Sequence, residues 1–232
     1  MDKPPSLKPL QWVGNSKRDL LSLPAPVVHF FGFALYLAQD GRKHEQAKPL
    51  SGFGSAGVLE VVEDWDRSTY RAVYTVRFES TVFVLHIFQK KSRRGAATPK
   101  ADPRASQSGG ADRQGVIAMK KQRVVRGIPV EVGSGNVYAD LGFPDSESML
   151  VKAQLAAKIA EIVHLRALTQ THTAEILGLT QPKVSAILKG QFRGISEHRL
   201  LECLTRLGRD VHIVIKPTPR NRSNGRLTLS VA

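Results

Sequence analysis

The sequence predicts an α+β first half followed by a mostly α-helical second half that ends in a strand. In the first half, an apolar helix-length run over Pro26–Gln39 precedes three runs rich in Val, Tyr and Phe. Helical periodicity dominates residues 149–207, after which VHIVIKP alternates as a strand does. Between the two halves, residues 99–118 are rich in Pro, Gly, Ser and Ala, a composition typical of a linker.

The composition limits the classes of function. The 232 residues include 34 Lys and Arg against 20 Asp and Glu, and the net charge of +14 favours a polyanionic partner such as nucleic acid. No apolar run approaches the roughly 18 residues of a membrane span, and the N-terminus does not resemble a signal peptide, so we expect a cytoplasmic protein. The single cysteine, Cys203, excludes a disulfide framework and a cysteine-based zinc finger. The histidines lack metal-ligand spacing and no phosphate-binding loop motif occurs, so we expect no metal and no cofactor.

These shifts in composition divide the chain into four segments. We expect a first domain over 1–98, a linker over 99–118, a second domain over 119–217, and a basic, disordered tail over 218–232. The linker contains two adjacent glycines and Pro103, which oppose a stable helix.

The three runs of the first half predict strands over Val58–Glu63, Tyr70–Phe78 and Thr81–Gln89. Because the breaks between them are short, the strands should form antiparallel hairpins, and the sheet should be a three-stranded meander behind the helix. Side chains alternate along a strand, so His86 and Lys90 should share one face of the last strand.

Basic side chains border this predicted sheet. A cleft bordered by Arg71, His86, Lys90 and Lys48 would suit a phosphodiester backbone, since Arg and Lys stabilise charge on a phosphate and His transfers protons. Spacing alone favours a simpler alternative, in which these residues are solvated side chains on an exposed sheet face.

The segments AKPLSGFG, YRAVYTV and VLHIFQKKS, the last followed by TP, closely resemble the phage-derived branch of HigB-type toxins in the RelE/ParE superfamily. The resemblance covers residues 8–100 and implies a RelE-like fold and a metal-independent, ribosome-dependent endoribonuclease that cuts mRNA. Family members usually continue after TP into a charged helix, whereas this chain continues into the linker, so ribonuclease activity should be weakened or absent. By position, the resemblance implies the catalytic residues Arg71, His86, Lys90, Lys91 and Lys48.

The segment TQTHTAEILGLTQPKVSAILKG has the spacing of a helix-turn-helix. Small Ala174 lets two helices approach, Gly178 permits the turn, and Val184 and Ile187 pack the second helix on the first. The threonine before each helix is in place to cap it.

The second helix of the motif, Gln181–Leu188, is predicted to enter the major groove of DNA. Glutamine can pair with adenine, and lysine can reach guanine or phosphate. The alternative is a plain helical hairpin in a bundle, which does not predict a polar helix N-terminus after a glycine turn. The predicted DNA contacts are Gln170, Gln181, Lys183, Ser185 and Lys189.

The segments VYADLGFPDSESMLVKAQLAAKI, LTQPKVSAILKGQFRGIS and LGRDVHIVIKP resemble HigA-type antitoxins of the XRE helix-turn-helix family. This resemblance implies a protein that binds its toxin and represses its own operator. A lone terminal strand needs a partner, and helix-turn-helix proteins read paired half-sites, so we expect a homodimer.

Together these patterns predict a toxin–antitoxin fusion. Its expected partners are operator DNA, mRNA on the ribosome if the toxin half is active, and the other half of the same chain. The alternative is a degenerate, non-catalytic fusion that acts only as a DNA-binding regulator or a toxin-binding protein.

Overall fold

A computed structural model describes residues 7–53, 57–76, 80–90, 122–220 and 223–230. The predicted linker and the end of the second predicted strand lie outside these residues. The elements follow in chain order: β1 (Leu10–Val13), α1 (Ser16–Leu21), α2 (Ala25–Gln39), β2 (Lys48–Pro49), β3 (Val58–Trp65), β4 (Ser68–Thr75), β5 (Val82–Lys90), β6 (Gln122–Val125), β7 (Ile128–Val132), α3 (Val137–Asp140), α4 (Ser146–Leu165), α5 (Gln170–Leu177), α6 (Gln181–Leu188) and α7 (Glu197–Arg206).

The described strands form one mixed sheet of seven strands, in the order β2-β3-β4-β5-β1-β7-β6. The meander β3-β4-β5 is antiparallel as predicted, but a sheet of only three strands was the wrong prediction. Strand β1 lies parallel to β5, with Leu10 opposite Val82, and β7 pairs antiparallel with the other edge of β1. The sequence did not predict β1 because a four-residue strand carries too little alternation to be recognised.

Helix α2 is covered by both halves of the chain. Thirteen of its 15 residues are buried, so nearly its whole circumference is removed from water. Strand β3 contacts it from the sheet, and Phe192 of the second half meets Phe33 edge to face with ring centroids 5.7 Å apart. A Cβ atom added at Gly32 would lie 3.3 Å from the ring of Tyr138. The two halves therefore share one hydrophobic core.

Polar contacts also join the halves, as the sequence predicts for an intramolecular contact. Lys17 on α1 forms an ion pair of 2.7 Å with Glu131 on β7. The side-chain amide of Gln39 donates a hydrogen bond of 2.9 Å to the carbonyl of Gly135. These bonds lie beside the β1–β7 pairing and fix the second half against the edge of the sheet.

The second half contains the predicted helix-turn-helix. Gly178 adopts a left-handed conformation, with φ of 60°, between α5 and α6. The hydroxyl of Thr169 caps α5 by accepting a hydrogen bond of 3.2 Å from the backbone N–H of His172. Thr180 stands at the start of α6 in an extended conformation, but its side chain makes no capping bond. Cys203 is fully buried as a small apolar residue in the core, as predicted.

The predicted terminal strand over residues 211–217 is not formed, which corrects that part of the predicted fold class. The segment is extended in pattern, yet Ile213 is 77% exposed and Ile215 is 94% exposed. A strand is defined by hydrogen bonds to a neighbour, and the described part of the chain places no strand beside this segment.

Replacing Gly190 by alanine should destabilise the docked arrangement of the halves. Gly190 has a φ of 77°, and a Cβ atom there would lie 2.2 Å from the ring of Phe33 on α2. The left-handed conformation costs alanine about 1 kcal/mol, and forcing the ring aside adds about 1–3 kcal/mol. The measurement is the free energy of unfolding of the full chain in urea.

Gly194→Ala is the matched control, because Gly194 has a similar φ of 81° but open space around its Cβ position. This variant should lose only the roughly 1 kcal/mol that the left-handed backbone conformation costs alanine. Equal losses in the two variants would contradict the packing of Gly190 against Phe33.

Candidate nucleic-acid interfaces

The register of the sheet places the predicted catalytic residues on one face. Lys48 pairs with Glu60, Glu60 pairs with Val73, and Val73 pairs with His86, so these four side chains form one row across β2-β3-β4-β5. Arg71 lies two residues from Val73 and therefore shares the face. We call this surface the outer face of the sheet.

Arg71 is the centre of the basic cluster on the outer face. It pairs with Phe88, so His86 and Lys90 lie diagonally on either side of it, at roughly 7–8 Å between Cα atoms. His86 and Lys90 are exposed, and the imidazole of His86 stacks on the ring of Phe88 with centroids 4.9 Å apart. The hydrogen-bonding ladder between β4 and β5 is irregular next to this cluster, with a register shift between Val73 and Tyr74. Such bulges often re-aim side chains beside functional sites.

One described member of the predicted set is not brought into this cluster. Lys48 is exposed on the outer face, but it is three strand spacings from His86, or roughly 14 Å. Lys91 lies outside the described residues. The structure therefore groups Arg71, His86 and Lys90.

Sequence reasoning missed the acidic side chains of the outer face. Glu60 accepts a hydrogen bond of 2.5 Å from the guanidinium of Arg71, and both side chains are half-buried. Asp64 follows on the same face and accepts a hydrogen bond of 2.6 Å from the hydroxyl of Thr69. The alternation of β3 would have placed Glu60 on this face once β3 and β4 were recognised as a hairpin. The cluster thus contains a carboxylate, a guanidinium and an imidazole, which together can bind a phosphate and transfer a proton.

The part of the second half that the structure describes does not cover the outer face. Glu63 points to the opposite side of β3, where it is 8% exposed and accepts a hydrogen bond of 2.9 Å from the side chain of Gln191. The second half packs on that helical side and along the β1 edge, so His86 and Lys90 stay exposed to solvent.

The N-terminal end of α6 forms a second candidate surface. Gln181 and Lys183 are exposed, and Ser185 and Gln170 are half-buried beside them. The side-chain amide of Gln181 donates a hydrogen bond of 2.6 Å to the side-chain oxygen of Gln170. Gln170 therefore orients Gln181, which favours a fixed pattern of donors and acceptors at the tip of the helix.

Lys189 is not brought together with the other predicted DNA contacts. It follows the last residue of α6, about 12 Å along the axis from Gln181. It is half-buried against the first half, where its charge acts on His44 and Glu63.

Two arginines of α7 hold the turn of the motif, a role that the sequence did not reveal. Arg199 donates a hydrogen bond of 2.9 Å to the carbonyl of Gly178, and Arg206 donates one of 3.1 Å to the carbonyl of Leu177. Glu202 forms ion pairs with both arginines. The bonds satisfy carbonyls that the end of α5 leaves without helical partners. The helical spacing of these charged residues on α7 is visible in the sequence, but the carbonyl groups that they contact are not.

The buried side chain of His44 should make the free energy of unfolding depend on pH. It is 1% exposed between the rings of Phe30 and Phe33, and burial, with the charge of Lys189 nearby, lowers its pKa from 6.5 to about 4. Between these values the unfolded chain binds a proton that the folded chain excludes, so stability falls as the pH falls. The loss from this group approaches about 3 kcal/mol at pH 4.

The test is urea unfolding from pH 7 to pH 4 for the parent, His44→Gln and His198→Gln. Glutamine stays neutral, so His44→Gln should flatten the slope, whereas His198 is exposed and its variant should keep the parent's slope. An unchanged slope in His44→Gln would contradict this assignment.

Two further observations concern the described residues. No group of three His, Cys, Asp or Glu side chains within them is placed to hold a metal ion. None of their helices combines the length and the apolar character needed to cross a bilayer.

Comparisons with known proteins match each half separately. The family model described as phage-derived Gp49-like protein matches residues 18–107, and a helix-turn-helix domain model matches residues 137–216. A solved structure described as a candidate XRE family transcriptional regulator is 37% identical over 38% of this chain and 100% of its own, with a TM-score of 0.36. Among curated proteins, no significant match is found. The chain therefore joins a segment similar to phage-derived Gp49-like proteins to a helix-turn-helix domain.

Proposed function

We propose that this chain is a toxin–antitoxin fusion whose second half represses transcription by binding operator DNA. The observation that carries the proposal is the exposed tip of α6, where Gln181 and Lys183 project beyond the turn held by Gly178. The first half is proposed to be a HigB-like endoribonuclease that acts on mRNA at the ribosome. The proposed boundaries remain 1–98 and 119–217, with the linker over 99–118 between them.

DNA binding as a homodimer is part of this proposal. Paired half-sites require two recognition helices, and a two-fold axis relates them. The exposed segment 211–217 supports the proposal, because two copies pairing antiparallel would give each other the neighbour that a strand requires. The exposed side chains of Ile213, Val214 and Ile215 would then be partly covered.

The DNA proposal is tested with the double variant Gln181→Ala, Lys183→Ala in the full chain. Binding to DNA from upstream of its own gene should weaken by at least about tenfold, because a paired glutamine–adenine contact is worth about 1–3 kcal/mol. The measurement is a gel shift with a titrated chain at fixed salt. Lys90→Ala is the control, because it removes an exposed lysine of the outer face and should leave the affinity unchanged. Equal affinity of the double variant and the parent would contradict the assignment of the recognition helix.

The nuclease proposal is supported by the chemistry of the outer face. Arg71, His86 and Lys90 surround a position where a phosphate would receive positive charge, and the second half leaves that position open to solvent. Glu60 adds a carboxylate within hydrogen-bonding distance of Arg71. This arrangement needs no metal, because guanidinium and ammonium groups can stabilise the charge that develops on a phosphate.

Cleavage of ribosome-bound mRNA by the full chain tests the nuclease. Arg71→Ala should lower the rate by about 10²-fold or more, since removing one charge-stabilising donor has this effect. Arg18→Ala is the control, because Arg18 is exposed on α1, away from the outer face. The double variant of α6 should cleave as the parent does.

Absence of cleavage by the parent, with DNA binding intact, would favour the alternative of a degenerate fusion. In that case the first half would serve only to hold the second half or to bind free partners. The isolated first half is a poor test, because removing the second half would expose Phe33 and the β1 edge.

A further inference from the structure

An interdomain cleft of about 500 Å³ lies where the two halves meet, and none of its lining residues belongs to either candidate nucleic-acid surface. Leu21, Val28 and His29 line it from the first half, and Phe143, Met149 and Arg193 line it from the second half. Its size and its mainly apolar walls are those of a small-molecule site, and such sites occur preferentially between domains.

His29 is the polar group on the buried side of the cleft. Its side chain is 8% exposed, and its ring meets Phe143 edge to face with centroids 4.8 Å apart. Its Nδ1 atom is buried and has no hydrogen-bond partner among the described residues. Burial, and then the positive charge of Arg193, lower the pKa of His29, so the imidazole is neutral at neutral pH. Because Nδ1 is closed off from solvent, a ligand in the cleft packs against the neutral ring of His29 and does not bond to this atom.

Arg193 supplies the positively charged group of the cleft. It is exposed, and no described carboxylate forms an ion pair with it. Asp145 also lines the cleft and its charge acts on His29, so the anion of a ligand fits only at the guanidinium of Arg193. A guanidinium can donate two parallel hydrogen bonds to one carboxylate, while the apolar walls accept a hydrocarbon body.

We propose that the interdomain cleft binds a small amphipathic carboxylate, with its anion at Arg193 and its apolar body between the two halves. Because both halves contribute walls, the ligand binds only while they are docked, and it stabilises that arrangement. The proposal does not depend on the nuclease or on operator binding.

The test uses the full chain with octanoate and with octanamide, which has the same apolar body but no charge. Calorimetry should show one octanoate bound per chain, more tightly than octanamide by about tenfold. Octanoate should also raise the melting temperature. Binding of neither probe, or equal affinity for the two, would overturn the proposal.

Three variants locate the site. Arg193→Gln should remove the preference for octanoate over octanamide, and Arg209→Gln, an exposed arginine after α7, should keep it. Ala25→Trp places a large ring at the exposed rim of the cleft and should block both probes. A preference that survives Arg193→Gln, or octanoate binding that survives Ala25→Trp in a folded chain, would place the ligand elsewhere and overturn the proposal.

Discussion

The burial of α2 is the constraint on which the rest of the structure depends. An amphipathic helix can lie on a sheet with one side in water, but α2 has apolar residues around its whole circumference. The sheet covers only the side that faces β3. The opposite side must be covered by another part of the chain. Phe192 and Tyr138 of the second half pack against it, and Gly190 lets the backbone of the second half approach Phe33 closely. Two halves that each resemble a separate family therefore fold here around one helix.

The same constraint decides which surfaces remain open. Because the second half is used to cover α2 and to extend the β1 edge, it lies on the helical side of the sheet. The outer face with Arg71 and His86 stays accessible, and so does the tip of α6 with Gln181. Within the described residues, the second half does not cover the basic cluster.

The sequence predicted the elements with a clear period and missed those that depend on distant partners. The meander, α2 and the positions of Ala174, Gly178, Val184 and Ile187 follow from local alternation or spacing, and all are present. The addition of β7 to β1 joins residues about 120 positions apart and leaves no local signal. The missing terminal strand is the converse case: the pattern of residues 211–217 is that of a strand, but a pattern does not provide a neighbour.

Both candidate sites hold their central polar side chain by a contact within the chain. Arg71 is paired with Glu60, and Gln181 is bonded to Gln170. Partly exposed pairs of this kind are worth on the order of 1 kcal/mol, so a phosphate or a base edge can replace them. At the tip of α6, the contact with Gln170 would hold Gln181 in one geometry before a base is bound, which would reduce the conformational entropy lost on binding. The two pairs differ in one respect: Glu60 is a charge that a phosphate must displace or approach, whereas Gln170 is neutral and can remain in place when Gln181 contacts a base. The outer face therefore demands a rearrangement around Arg71 before it can hold a phosphate, and the tip of α6 does not.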